Sequence, residues 1–205
     1  MKKILITAGP TREYFDTVRF ITNSSTGAQA SALADGFLKR HCAVRVISGP
    51  VSIKYPPRCE VLKVVGVREM FQRVRENIEW ADFAVFAAAP CDLTPERVAK
   101  KKLKKKMDAM PGLVLSPDIA ASLNNLKISP PSAGFDLEDE LDMDEALYKM
   151  RRKNFDIIIQ NTLPAMGSSR TTGYIVSENE AVLFSDISKK SLAEILCEKI
   201  CRIIN

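Results

Sequence analysis

Phe83-Ala84-Val85-Phe86-Ala87-Ala88-Ala89, closed by Pro90, is apolar at every position. A strand with that pattern must be covered on both faces, as at the centre of a parallel sheet. Parallel neighbours need long crossover connections, and the flanking sequence supplies them as apolar strands alternating with segments of helical period. Ile4-Leu5-Ile6 opens the series, and residues 27–40 read as a helix with Ala30, Leu33, Ala34, Phe37 and Leu38 on one side. Val44-Arg45-Val46-Ile47 is a second strand, ended by Ser48-Gly49-Pro50, and Val61 to Val65 a third. An amphipathic helix over 67–79 follows, with Met70, Phe71, Val74 and Ile78 sharing a face.

Beyond Pro90, Ser116-Pro117-Asp118 carries the signals of a helix start, with Ser116 as the cap and proline at the first helical position. An apolar run then ends in Ala133-Gly134-Phe135, a helix covers 142–153, and Phe155-Asp156-Ile157-Ile158-Ile159 forms another buried strand. Short strands at 174–176 and 181–184 read as a hairpin around 177–180. A final helix over 190–203 begins near Ser191, with Glu194 at capping-box spacing. The expected architecture is one α/β domain over 1–205, a Rossmann-like three-layer fold with a mainly parallel sheet and a small β-extension. Ligands of such sheets gather beyond the carboxyl ends of the strands, near the switch point of strand order, which marks the chain around Pro90 as the place for a site.

The 205 residues are 46% hydrophobic and 27% charged, and no apolar run approaches the roughly eighteen residues of a membrane span. The opening MKKILITAGP places lysines before an apolar stretch, but that stretch breaks at Gly9-Pro10 and reads as a strand rather than a targeting segment. Cys42, Cys59, Cys91, Cys197 and Cys201 are odd in number, form no CxxC pair and are accompanied by a lone His41. That usage suits a reducing compartment, here the cytoplasm, and argues against a cysteine–histidine zinc site. Of the thirty Lys and Arg residues behind the net charge of +5, six fall in Lys100-Lys101-Lys102-Leu103-Lys104-Lys105-Lys106. Such a run is either a solvated face or a site for a polyanion, whether nucleotide phosphates or nucleic acid.

Thr22-Asn23-Ser24-Ser25-Thr26-Gly27 precedes the first long helix. Its hydroxyls and free backbone N–H groups suit a phosphate, although Ser and Thr there equally serve as plain caps. Neither GxGxxG nor GxxxxGK(S/T) is present, so the standard dinucleotide and P-loop fingerprints are missing. On these grounds alone a Rossmann-like NAD(P)-dependent reductase and a non-catalytic nucleotide- or nucleic-acid-binding protein both remain open.

Read together, Ile6-Thr7-Ala8-Gly9-Pro10-Thr11-Arg12-Glu13, Asp16, Val18-Arg19 and Ile21-Thr22-Asn23-Ser24-Ser25-Thr26-Gly27 resemble the opening of the phosphopantothenate–cysteine ligases, or phosphopantothenoylcysteine synthetases. Val46-Ile47-Ser48-Gly49-Pro50 is similar to that family's second strand and turn, and Ala87-Ala88-Ala89-Pro90-Cys91-Asp92 to its AAAVAD turn. Lys102-Leu103-Lys104-Lys105 resembles its KxKK loop, Gly134-Phe135-Asp136-Leu137-Glu138 its GFAAE, and Asp156-Ile157-Ile158-Ile159-Gln160-Asn161 its DLIVAN. The resemblance is collinear across essentially the whole chain. It departs at Pro10, where the family has glycine, at Ala28-Gln29-Ala30, where the family's lysine is missing, at Pro90-Cys91, and around Ser168-Ser169-Arg170-Thr171-Thr172. Family members are often fused behind a flavin-binding decarboxylase domain, so the chain resembles a stand-alone synthetase with a separate flavin-dependent decarboxylase as a partner.

The resemblance implies that 4′-phosphopantothenate attacks the α-phosphate of CTP, with Mg²⁺, to form an acyl-cytidylate that L-cysteine then converts to the amide. It puts Lys102 on the triphosphate with Lys104 and Lys105 in support, and gives Asn23 to the acyl-cytidylate. Ala88, Ala89, Asp92 and Phe135 would meet the nucleotide together with the Gly9 turn. Arg12, Arg19, Ser25 and Asn161 would serve the phosphorylated substrate. Each has a structural alternative: helix capping for Asn23, turn capping for Asp92, core packing for Phe135. Cys91 suggests a nucleophile, but the chemistry needs no thiolate. The metal ligands are open, nucleic acid and membrane are not expected partners, and a homodimer is expected through a β-extension within 161–185.

Overall fold

The computed structural model describes residues 1–104 and 111–204. Strand β1 (Lys3–Ala8) leads into a small antiparallel hairpin of β2 (Arg12–Tyr14) and β3 (Phe20–Thr22), then helix α1 (Ala28–Lys39) and β4 (Ala43–Ser48). Next come β5 (Glu60–Lys63), α2 (Val67–Asn77), β6 (Phe83–Phe86) and a second small ribbon of β7 (Leu93–Pro95) and β8 (Leu113–Leu115). Helix α3 (Ile119–Asn124), β9 (Ser132–Glu138), α4 (Met143–Arg152), β10 (Ile157–Thr162), β11 (Arg170–Ser177), β12 (Glu180–Ser188) and α5 (Lys189–Ile203) complete the order.

The main sheet has eight strands in the order β12-β11-β10-β9-β6-β1-β4-β5. From β5 to β10 every pairing is parallel, and the β10–β11 and β11–β12 pairings are antiparallel. Alternation along β1 shows why two layers of helices are needed. Ile4, Ile6 and Ala8 enter a core with Leu33, Phe37, Leu192 and Leu196 of α1 and α5, while Leu5 enters the opposite core with Met70, Val74 and Leu123 of α2 and α3. Helix α4 closes that second face over β10 and β11 through Ala146, Met150, Ile158 and Val176. The result is the expected three-layer α/β fold, and the small β-extension is the β11–β12 hairpin appended to the parallel sheet.

Several boundaries move for identifiable reasons. The apolar run 83–89 is strand only through Phe86, because the next N–H groups turn toward the loop after β1: Ala88 N donates to Thr7 Oγ1 (3.2 Å) and Ala89 N to the Gly9 carbonyl (2.9 Å). Ser116 does not cap α3. Its N–H donates to the Asp92 carbonyl at the end of the β7–β8 ribbon, and Asp118 caps instead, accepting from Ala121 N at 3.1 Å. Helix α5 starts one residue earlier than expected and is capped by Ser188 in place of Ser191, with Ser188 accepting from Ser191 N. The two ribbons, too short to show an alternating pattern, are absent from the sequence reading.

Gly49 lies where the turn after β4 crosses the loop after β1, and a Cβ there would stand 1.7 Å from the backbone oxygen of Pro10. Neither partner is a side chain that can swing away. Gly49→Ala is therefore expected to lower the unfolding free energy by about 2 kcal/mol or more, as overpacking does, read as a lower urea midpoint at unchanged slope.

Candidate active site

The chain passes from β1 to β4 and β5 on one side, then returns to place β6 on the other side of β1. The crevice of such a sheet opens where the order reverses, here between the loop after β1 and the turn after β6. Backbone geometry joins these two segments closely. Thr11 Oγ1 accepts from Cys91 N (3.0 Å), and the Asn23 amide donates to the carbonyls of Ala89 (3.1 Å) and Pro90 (3.0 Å). Asn23 is thus no helix cap; Gly27, at φ +76°, occupies the cap position of α1 and no side chain bonds there.

Two clefts flank this junction. The first, of about 410 Å³, is walled by Asn23, Ser25, Ala88, Ala89, Asp92, Phe135 and Asn161. All seven belong to the expected set. The start of α1 contributes Gln29, whose amide donates to the Lys189 carbonyl (3.2 Å), and Lys189 itself lies on the wall, its ammonium pKa lowered by burial. Asn161 Oδ1 accepts from Thr171 Oγ1 at 3.2 Å, so the residues at one family departure support this wall directly.

The second cleft, of about 450 Å³, shares Ala88, Asp92, Phe135 and Asp136 with the first and extends between α3 and α4. Its far wall holds Lys149, Arg152 and Lys153, with Phe86 and Phe155 as apolar surfaces. Ser116 Oγ is buried on this wall and has no hydrogen-bond partner among the described residues. Lys149 donates to Asp136 Oδ1 (2.7 Å) and to Glu138, while Lys153 pairs with Asp118 (3.1 Å). Burial alone would lower the pKa of Lys149, but the hydrogen bonds and charges of Asp136 and Glu138 outweigh it and push it up to about 12. None of these α4 cations figured in the sequence reading. Their only signal was an i, i+4 lysine spacing in a basic last turn, which is commonplace on solvent-facing helices.

Other expected residues lie elsewhere. Gly9, at φ +71° with Val51 crowding any added Cβ, shapes the turn and lines neither cleft. Arg12 stacks over the Phe20 ring at 4.7 Å and borders a separate hollow with Ser25 and the Pro50–Ile53 loop. Arg19, expected on a substrate phosphate, has Nε and Nη2 committed to Asp16 and to the Leu103 carbonyl. Lys102 and Lys104 are exposed outside both clefts, and Lys105 lies outside the described residues. Cys91 is buried, and burial raises its thiol pKa, which leaves it a poor nucleophile.

Residues 1–204 match the family described as the DNA/pantothenate metabolism flavoprotein C-terminal domain. The coenzyme A biosynthesis bifunctional protein CoaBC of Haemophilus influenzae is 34% identical over 208 residues, covering 98% of this chain and 51% of that protein. Its Bacillus subtilis counterpart is 34% identical over 194 residues, covering 93% and 47%. The chain therefore spans about half the length of the curated relatives it matches. The crystal structure of the C-terminal domain of CoaBC superimposes with a TM-score of 0.86 at 27% identity, covering 99% of this chain and 95% of that one. A Cab2 mutant in complex with phosphopantothenate-cysteine shares the fold, with a TM-score of 0.76 at 19% identity over 99% of this chain and 86% of that one.

The Lys149 network carries a pH signature. The folded-state pKa lies above the ordinary 10.5, so the stability it contributes is complete below that value and is lost as pH climbs through about 12. The gap in urea midpoint between the wild type and Lys149→Met should be open at about pH 9 and narrow in strongly alkaline buffer. A gap that stays constant across that range would remove the assigned ion pairs.

Proposed function

This chain belongs to the family of DNA/pantothenate metabolism flavoprotein C-terminal domains, and on that premise we propose that it joins 4′-phosphopantothenate to L-cysteine through a nucleotide-activated acyl phosphate. The observation that carries the reading is the pair of clefts meeting at the Asn23–Ala89–Pro90 junction, with Asn23, Ser25 and Asn161 on the first and Lys149, Arg152 and Lys153 on the second. Amide formation from a carboxylate is uphill in water, so two ligands must meet there: an anionic nucleotide and the acid it activates.

In this reading the second cleft takes the nucleotide. Phe86, Phe135 and Phe155 offer surface to the base, and Lys149, Arg152 and Lys153 face the phosphates, which are favoured partners of such cations. Ser116 Oγ, without a partner among the described residues, donates to the ligand. The first cleft takes the pantothenate arm, with Ser25, Asn161 and the start of α1 toward its phosphate. A carboxylate oxygen attacks the α-phosphorus, the bond to the β-phosphate oxygen breaks, and pyrophosphate leaves. The cysteine amine then attacks the acyl carbon, the nucleoside monophosphate departs with the bridging oxygen, and the nitrogen sheds its proton. Asn23, on the wall of the first cleft with its amide nitrogen held by the Ala89 and Pro90 carbonyls, keeps an uncharged group beside the acyl phosphate, which a carboxylate there would repel. Lys102 and Lys104 approach the triphosphate from outside the cleft.

Mg²⁺ fits as a companion of the triphosphate, since it keeps several waters and needs only one or two carboxylates, and Asp92 on the common wall can supply one. When bound it would neutralise phosphate charge. CTP is preferred to ATP on the resemblance of the lysine loop and the triple-alanine turn. The five cysteines are unpaired and among the described residues no helix is long and apolar enough to cross a membrane, which supports a cytoplasmic setting. A flavin-dependent decarboxylase, separate or fused, would consume the product.

Pyrophosphate should be released only when acid and nucleotide are both present, at least tenfold more efficiently with CTP, a difference of about 1.4 kcal/mol. Lys102→Gln should abolish most of this activation, a loss of about 2–4 kcal/mol. Asn23→Asp should release pyrophosphate yet form almost no amide, with circular dichroism unchanged in both. Normal amide formation by the Lys102 variant would assign the lysine run to plain solvent contact.

The homodimer has support in exposed Leu163, Met166, Val182 and Leu183 and in β12, one of the two edge strands of the sheet. Sedimentation at micromolar protein should show a dimer that Leu183→Glu dissociates. If only Leu115→Glu does so, the interface is the β7–β8 ribbon, where Leu93, Leu113 and Leu115 are also exposed; an active monomer would remove the dimer altogether.

A further inference from the structure

The turn between β2 and β3 holds a buried carboxylate with more hydrogen bonds than its own loop requires. The Asp16 side chain is 0% exposed. Its Oδ1 accepts from Val18 N and Arg19 N, both at 2.8 Å, which closes the turn. Its Oδ2 accepts from Arg19 Nε (3.0 Å) and Nη2 (2.6 Å), and also from Leu103 N (2.9 Å), 87 residues along the chain. Arg19 Nη2 completes the loop by donating to the Leu103 carbonyl at 2.6 Å. The neighbouring Ala99 N donates to the Phe15 carbonyl at 2.9 Å. Both main-chain groups of Leu103 are thus gripped by one ion pair.

Leu103 sits inside the lysine run, and Asn23 follows the last residue of β3. The three-residue strands of this hairpin span about 10 Å, so the grip on Leu103 and the Asn23 amide stand at opposite ends of one short support. We infer that Asp16 is a positioning residue: through Arg19 and Leu103 it holds Lys102 and Lys104 at a set distance from the cleft where the nucleotide binds. The hydrogen bonds to the carboxylate, that of Leu103 N foremost, also hold its pKa well below the usual carboxylate range, so it stays charged at any pH at which the enzyme works. This inference rests on the ligase reading for the identity of the nucleotide but not for the grip itself.

Asp16→Asn separates the two halves of the arrangement. The asparagine oxygen can keep the Val18 and Arg19 N–H groups, whereas its amide nitrogen would face the guanidinium and Leu103 N, donor against donor. Trypsin cleavage after Lys100, Lys101, Lys102 and Lys104 should accelerate at least fivefold in native buffer, beyond any acceleration at sites outside the run. The Kd for CTP with Mg²⁺ should rise about fivefold, and this effect should vanish in a Lys102→Gln background, because the two changes act through one element. Conversion of preformed acyl-cytidylate to amide should keep its rate. If Asp16→Asn does not fold, Arg19→Gln, which releases the Leu103 carbonyl and leaves the Asp16 turn intact, should show the same pattern.

Unaltered cleavage would overturn the grip. Faster cleavage with an unaltered Kd, or a wild type that binds no CTP, would overturn its service to the nucleotide. A wild type that binds CTP but releases no pyrophosphate would instead sink the ligase reading, while the cleavage and affinity comparisons still decide the role of Asp16.

Discussion

Parallel pairing of β1 with β4 on one side and β6 on the other, with Thr7 opposite both Ile47 and Phe86, is the constraint on which the site depends. It brings the ends of three strands to one edge, so the loops leaving them must share a small space. The contacts there are mostly backbone: Ala89 N to Gly9 O, Gly49 N to Ala8 O, and Gly49 passing against Pro10. Hydroxyl and amide side chains then complete the seam, Thr7 to Ala88, Thr11 to Cys91 and Asn23 to Ala89 and Pro90. A crevice stitched in this way is preorganised, because hydrogen bonds within the protein fix its loops before any ligand arrives.

Buried charge organises the periphery of the same seam. Glu13, 6% exposed, accepts from Val67 N (2.8 Å) and Thr94 Oγ1 (3.1 Å), joining the β2–β3 hairpin to the start of α2 and to the β7–β8 ribbon. Asp16 joins the same hairpin to the lysine segment. Buried carboxylates are costly unless fully hydrogen-bonded, and these two obtain their partners from distant parts of the chain. Each therefore works as a geometric lock more than as a source of net stability, since a well-made buried ion pair often only breaks even against its desolvation. Lys149, with Asp136, Glu138 and Glu145 around it, does the same for the wall between the clefts.

Most of the sheet and helix layers could be read from periodicity. Six strands and the two long helices of the first half follow from runs such as Phe83–Ala89 and from the spacing of Met70, Phe71, Val74 and Ile78. Seven of the expected site residues share one cleft because collinear motifs after β1, β6, β9 and β10 must converge when those strands are parallel neighbours. What escaped notice was short or long-range. The two ribbons have three-residue strands, below the length at which alternation can be counted. Ser191 and Ser116 looked like caps, but which serine caps a helix depends on where the preceding segment pairs.

The sequence by itself determined the fold class, the order of strands and helices, and the segments that carry the site, because burial pattern and local motif chemistry are properties of neighbouring residues. Tertiary structure alone decided the partners. That Lys149, Arg152 and Lys153 face the same wall as Asp92, that Arg19 reaches Leu103, and that Asn23 bonds the turn after β6 instead of capping α1 are contacts across 66 or more residues or between separate elements. A charged or amide side chain can satisfy its hydrogen bonds with many partners, and only the packed sheet, by fixing which loops lie side by side, selects one.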